Sequence, residues 1–401
     1  MKKVFRIVVA LLIIASMIPA TLVVAQDERP PLGFWEECAT PDALPETVDV
    51  GAIFTLTGAI ATIGLSQQQG LELAAQHINE SGYLGEGVTL NLIIEDSGDD
   101  AEGAISAMTK LVEDDEVVAV IGPTRSPQAF AADPIAAEAG IPVMGVSNTA
   151  NGITTMNDDP ELDQFIFRDS LPEAAVIPGA IRQAVEILGI EDAVIIFAND
   201  DEFAASGAEI FEQSLIDNGV EVLDVETYTT GDVDFNAQIT NLLAGDPDLF
   251  VVSGLPSEGG LIINQARQQG YEGPFHGGNG FNTPQIIEQG GEAAEGALVG
   301  AAWHISNESE INNFFIDSYT EAFEISPDQF SAQAYTGGWL MATAIRCANS
   351  TDGQAIRDAL AAIENFDSPL GLFSFDEDRN PVHDPVVQVI RDGTFQVLSG
   401  E

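Results

Sequence analysis

Basic residues are what this chain most lacks. Among 401 residues there are 13 Lys or Arg against 64 Asp or Glu, and Lys2, Lys3 and Arg6 stand in the first six positions. Without those three the count is 10 basic against 64 acidic, a difference of −54, and Lys110 is the one lysine left. Nucleic-acid phosphates and anionic membrane surfaces would be repelled from such a surface, so neither is expected as a partner. The acidity says more about habitat, salty or acidic surroundings, or about genomic bias than about chemistry. Histidine is also scarce: His77, His276, His304 and His383 are scattered and match no ligand spacing, so no metal is expected. Phosphate-loop and dinucleotide fingerprints are missing, since Gly277-Gly278-Asn279-Gly280 opens no G-x-G-x-x-G, and no other cofactor is expected. Ser147, in Gly145-Val146-Ser147-Asn148-Thr149, lacks the second glycine of a nucleophile elbow and has no evident histidine partner. An enzyme is therefore not expected.

Long apolar runs are confined to the start. A basic opening, the apolar run from Ile7 to Ile18 and the small residues Val23-Val24-Ala25 read as a secretory signal peptide over 1–25. That run is too short for a comfortable membrane span, and no later one comes closer, so a soluble protein outside the cytoplasm is expected, with no membrane insertion after cleavage. No cysteine stands just after the apolar run, which argues against a lipid anchor there. The only two cysteines are Cys38 and Cys347. In an exported protein an isolated pair reads as one disulfide, here pinning a Pro-rich leader, 26–46, to a helix.

What is present is an alternation. Short apolar runs, Val48 to Phe54, Val88 to Ile94, Val117 to Ile121 and Pro142 to Val146, are separated by segments with helical spacing such as Leu71, Ala74, Ala75 and Ile78. A second series follows from Phe165. It runs through strands at Ala193 to Phe197, Val220 to Tyr228 and Leu249 to Ser253, a loop at 199–207 and a helix at 208–217. Three helices and a hairpin turning at Asp392-Gly393 close the chain. This is an α/β pattern with two parallel sheets, and ligands are expected at the carboxyl ends of the strands. Residues 117–151 fit a βαβ unit whose two loops carry Thr124, Ser126, Ser147 and Thr149. Pro127 suits a first helical turn, which puts Ser126 at the N-cap, where free N–H groups and the helix dipole favour a carboxylate or phosphate.

Several pieces in fixed order carry a resemblance over about residues 47 to 398. They are Gly51-Ala52-Ile53-Phe54-Thr55-Leu56-Thr57-Gly58, Gly70-Leu71-Glu72-Leu73-Ala74 with Ile78-Asn79, Val120-Ile121-Gly122-Pro123, Ala139-Gly140-Ile141-Pro142-Val143, Asp232-Val233-Asp234-Phe235 and Gln265-Ala266-Arg267. In this order the chain resembles the periplasmic substrate-binding proteins of branched-chain amino acid ABC transporters. The resemblance implies a type I periplasmic binding fold: two Rossmann-like lobes with parallel sheets, joined by a three-segment hinge. The implied lobes are 47–168 plus 300–372 and 169–299 plus 373–401. It also implies a monomeric receptor that captures a small molecule by hinge closure and delivers it to a membrane ABC permease.

Carried onto this chain, the resemblance places the ligand carboxylate at Ser126, the Ser147–Asn148 main chain and Thr149. Ile63 stands where the family often has an aromatic wall, Phe203 where it often has tyrosine, and Leu255 in a loop that often offers another. Asn279 matches a position where amino-acid binders usually set an acidic residue against the ligand ammonium. An amide carbonyl accepts that bond but brings no charge. The pocket suits a branched-chain or other hydrophobic amino acid; the alternative is an extracellular sensor for an amide, urea-like or organic-acid ligand.

Overall fold

The computed structural model describes residues 29–399, so the expected signal peptide lies outside the described residues. The first lobe is built on β1 (Thr47–Phe54), α1 (Ala61–Glu80), β2 (Thr89–Asp96), α2 (Ala101–Thr109), β3 (Ala119–Ile121), α3 (Ser126–Glu138), β4 (Val143–Gly145), α4 (Pro160–Asp163) and β5 (Ile166–Arg168). Its parallel sheet has the order β2-β1-β3-β4-β5, so β1 and β3 are neighbours at the centre and their following loops open at one edge.

The chain then crosses to α5 (Glu173–Leu188), β6 (Asp192–Ala198), α6 (Glu202–Asp217), β7 (Glu221–Tyr228), α7 (Asn236–Leu242), β8 (Leu249–Ser253), α8 (Pro256–Gln268), β9 (Phe275–Gly277), α9 (Pro284–Gly290) and β10 (Leu298–Ala301). It returns through α10 (Glu310–Phe323), α11 (Gln329–Ala348), α12 (Gly353–Ala361), β11 (Phe366–Ser368), β12 (Gly371–Phe375) and β13 (Pro381–Val382). It crosses a third time to β14 (Val386–Arg391) and β15 (Thr394–Val397). The second sheet runs β15-β14-β10-β9-β8-β6-β7, with β14 and β15 antiparallel at one edge.

Two differences from the sequence reading have local causes. The loop expected over 199–207 is cut short because the Asp201 side chain accepts the Ala204 N–H at 3.0 Å and starts α6 at Glu202, which puts Phe203 in the first helical turn. The lobe boundary expected at 372/373 falls inside β12, whose Phe373 and Phe375 pack in the first lobe's core against Phe167. The third crossing follows Val382.

The first lobe's core is organised by α11, buried continuously from Gln329 to Arg346. A helix buried on every face needs neighbours on every face, and α1 supplies the most extensive one. Gly70 permits that approach: a Cβ there would meet Ser331 O at 2.2 Å. The leader wraps the far end of α11. Leu32 is buried with the core, Cys38 is bonded to Cys347 with a Cα–Cα distance of 5.0 Å, and Arg346 Nε donates to Cys38 O at 3.0 Å. Among the described residues no helix is long and apolar enough to cross a membrane.

Candidate ligand-binding site

The loops after β1, β3 and β4 form one wall of a cleft between the lobes, and they are bolted together from within. Thr124 Oγ1 accepts the Thr55 N–H at 3.0 Å and donates to Gln67 Oε1 at 2.6 Å. Gln67 Nε2 donates to Ser147 Oγ at 2.7 Å, and Ser147 Oγ donates to Thr124 O at 2.5 Å. Asn148 Nδ2 donates to Pro123 O at 2.6 Å, while Arg168 Nη1 donates to the carbonyls of Asn148 and Ala150 at 2.9 and 2.8 Å. Gly122 must be glycine: its φ is +103° and a Cβ would lie 2.2 Å from Ile53 O.

Helix α3 begins one residue earlier than expected. Its N-cap is Arg125, in an extended conformation, and Ser126 is the first helical residue. The Gln128 side chain reaches back to accept the Arg125 N–H at 3.2 Å, so the first turn is closed without a hydroxyl cap. Ser126 Oγ instead accepts the Ala150 N–H at 3.3 Å, which leaves its own proton to donate. Thr149 Oγ1 is buried with no hydrogen-bond partner among the described residues.

The cleft has about 370 Å³ of atom-free space, its open mouth included. Ser126, Ser147, Ile63, Phe203, Leu255 and Asn279 line it, whereas Asn148 and Thr149 are set behind that surface. Ile60, Ile63 and Phe330 of the first lobe meet Leu255 of the second in one apolar cluster. The lobes are in contact across the opening: Arg125 Nη2 lies 2.6 Å from Asp201 Oδ2, and Thr62 Oγ1 donates to Gln285 Oε1 at 2.7 Å. Sequence reasoning passed over Arg125, Asp201, Ile60 and Phe330, all of which line the cleft. Arg125 had a usable signal, because a chain with so few cations sets one in the loop after a central strand.

Asn279 departs from expectation. Its carbonyl oxygen, expected to face a ligand ammonium, already accepts from Gln329 Nε2 at 2.8 Å and from Asn282 Nδ2 at 3.3 Å. Its backbone N–H donates to Glu173 Oε1 at 3.0 Å. Glu173 is 2% exposed, and its other oxygen has no partner among the described residues. Burial, against the opposing pull of that N–H bond and with help from nearby Asp201, pushes the Glu173 carboxyl up to about 8. At neutral pH it is largely uncharged. Among the described residues no cluster of His, Cys, Asp or Glu could hold a metal ion.

The periplasmic binding protein family model matches residues 47–394. The Leu-, Ile-, Val-, Thr- and Ala-binding protein of Pseudomonas aeruginosa is 27% identical over 333 residues, covering 83% of this chain and 86% of the relative. A Leu/Ile/Val-binding protein homolog of Brucella abortus is 28% identical, covering 85% and 88%. Among solved structures, the branched-chain amino acid binding protein LivJ of Streptococcus pneumoniae with isoleucine has a TM-score of 0.80 at 29% identity, over 88% of this chain and 99% of that one. A solute-binding protein of R. palustris with benzoate has a TM-score of 0.78 at 23% identity, over 88% and 95%, and shares the fold. Two doubly wound lobes, three crossings and one interlobe cleft are thus matched along nearly the whole length: the chain belongs to the periplasmic binding protein family, with the type I fold.

Proposed function

We propose that this protein is an extracytoplasmic solute receptor of an ABC importer, taking a small, carboxylate-bearing and partly apolar molecule between its lobes. The observation that carries the reading is the make-up of the cleft. Apolar side chains from both lobes converge beside the N-terminus of α3, where the Ser126 hydroxyl is free to donate and that of Thr149, set behind the lining, has no partner among the described residues. A carboxylate gains there from the helix dipole and from charge-assisted hydrogen bonds. An apolar body gains from burial between Ile63, Phe203 and Leu255.

Closure is the working step. A ligand touching both lobes stabilises the closed arrangement by the difference between its affinities for the closed and open states. The closed, loaded monomer then docks on a membrane ABC permease, and the ligand leaves unchanged, since the protein is no enzyme. Branched-chain and other hydrophobic amino acids, with related acids, form the first candidate set, as the relatives' names support.

The test is a thermal-shift screen of the mature chain against amino acids, amides, urea and small organic acids, followed by calorimetry. A carboxylate is expected to bind, and Ser126→Ala with Thr149→Ala to weaken it by about 2–3 kcal/mol with the fold intact. A tight ligand with no carboxylate, or unchanged affinity in the double variant, removes this reading.

A further inference from the structure

Residue 279 has a definite polarity toward the ligand, set by two backbone anchors outside the residue itself. Asn and Gln oxygens and nitrogens can be told apart only by what they bond to. Gln329 is fixed because its Oε1 accepts the Ala302 N–H at 2.6 Å, which leaves its Nε2 to donate to Asn279 at 2.8 Å. Asn282 is fixed because its Nδ2 donates to Gly300 O at 2.8 Å, and the same nitrogen lies 3.3 Å from Asn279 Oδ1. Two amide nitrogens therefore converge on one side of Asn279, and that side must be its oxygen. Turning the amide over would set NH2 against two NH2 groups.

Asn279 lines the cleft, and its Nδ2 donates to no partner among the described residues and is not among the buried unpaired atoms. The group left to face a ligand is a donor. The opposite wall has a donor of the same kind: Ser126 lines the cleft with its proton free, and Thr149 Oγ1 and Arg125 Nε are buried behind it without partners. Arg125 Nη1 donates to Asp99 O and Nη2 is paired with Asp201. Both walls offer protons, so an ammonium beside Asn279 would meet N–H with N–H.

We propose that the cleft selects a small apolar carboxylate whose second polar group is a hydrogen-bond acceptor, such as a 2-oxo or amide carbonyl oxygen, over the matching α-amino acid. This rests on the solute-receptor reading above and names the ligand class of that same site. The acidic groups nearby do not reverse it. Asp201 has one oxygen on Arg125 and the other on the Ala204 N–H, and the carboxyl of Glu173 behind Asn279 is held neutral by burial. A buried donor left facing an ammonium loses its bond and adds repulsion, and mismatches of this kind discriminate strongly.

The deciding measurement is calorimetry on the wild-type mature chain at pH 7 with leucine, 4-methyl-2-oxopentanoate and 4-methylpentanoate. The 2-oxo acid is expected to bind about tenfold or more tighter than leucine, with the plain acid between them. Leucine equal to or tighter than the 2-oxo acid overturns the proposal while leaving the receptor reading standing, because a carboxylate still binds. No binding of any of the three, with a folded circular dichroism spectrum, overturns it and removes its carboxylate class as well. Asn279→Asp supplies the second arm: the ratio is expected to move at least tenfold toward leucine, and an unmoved ratio shows that residue 279 does not read this group.

Discussion

The two walls of the cleft are held in different ways. On the first wall the bonds among Thr55, Gln67, Thr124, Ser147, Asn148 and Arg168 close within one lobe, so that wall persists whether or not the lobes meet. On the second, Asn279 follows β9, and its amide is oriented both by Asn282 of its own lobe and by Gln329, which begins α11 in the other. The first wall is supported by one lobe alone, whereas the second draws its support from both. In the proposed reading, the ligand's carboxylate meets a wall that one lobe supports alone, and its far end meets a wall to which both lobes contribute.

The largest expected effect bears on the support of the second wall. The Glu173 carboxyl is raised from 4.5 to about 8 by burial. A raised folded pKa means that the associated stability is fully present below pH 4.5 and is lost as pH rises toward 8. Glu173→Gln keeps an acceptor for the Asn279 N–H and removes the titration. The variant is expected to gain up to about 4 kcal/mol over wild type between pH 4 and pH 9, read by denaturant unfolding across that range. Parallel curves would mean that Glu173 is solvated in the free protein.

Next comes the link between the walls. Among the described residues four ion pairs occur, and Arg125 with Asp201 is the one that joins the lobes. In Arg125→Ala, closure would bury an Asp201 carboxylate that is 3% exposed and unpaired, costing on the order of 3 kcal/mol. Ligand affinity is expected to fall by about a hundredfold, with Arg125→Ala plus Asp201→Asn recovering part of it. Unaltered affinity by calorimetry would show that closure does not depend on this pair. For the first wall, Gln67→Ala strips partners from Thr124 and Ser147 and is expected to cost about 2 kcal/mol of unfolding free energy. If stability holds and only binding falls, that wall is not self-supporting.

How much of this could be read from the chain follows the same division. The strands, the crossovers and the hydroxyls at 126, 147 and 149 come from local patterns, and local patterns hold the first wall's elements. What that reading missed depends on groups far apart in the chain. The side chain that fixes Ser147 is Gln67, 80 residues away. The partner of Arg125 lies 76 residues on, and the donor that orients Asn279 lies 50 residues on. No periodicity relates those positions. Asn279 could be read as a neutral amide, but which end of that amide faces the ligand is decided by Ala302 and Gly300 through two other side chains.

The smallest expected effect is the sharpest probe of the second wall. Gln329→Glu is close to isosteric: one carboxylate oxygen can still accept the Ala302 N–H, while the other now faces Asn279 as an acceptor. The Asn279 amide is then drawn to turn its nitrogen toward residue 329, which leaves its oxygen facing the cleft. Asn282 opposes that turn from 3.3 Å, a longer and weaker bond than the 2.8 Å contact that is being reversed. The preference between leucine and its 2-oxo analogue should therefore shift toward leucine by about 1 kcal/mol, roughly fivefold, with carboxylate affinity as such little changed. A ratio that stays at the wild-type value would mean that Asn279 keeps its orientation without Gln329. The second wall would then be as self-contained as the first.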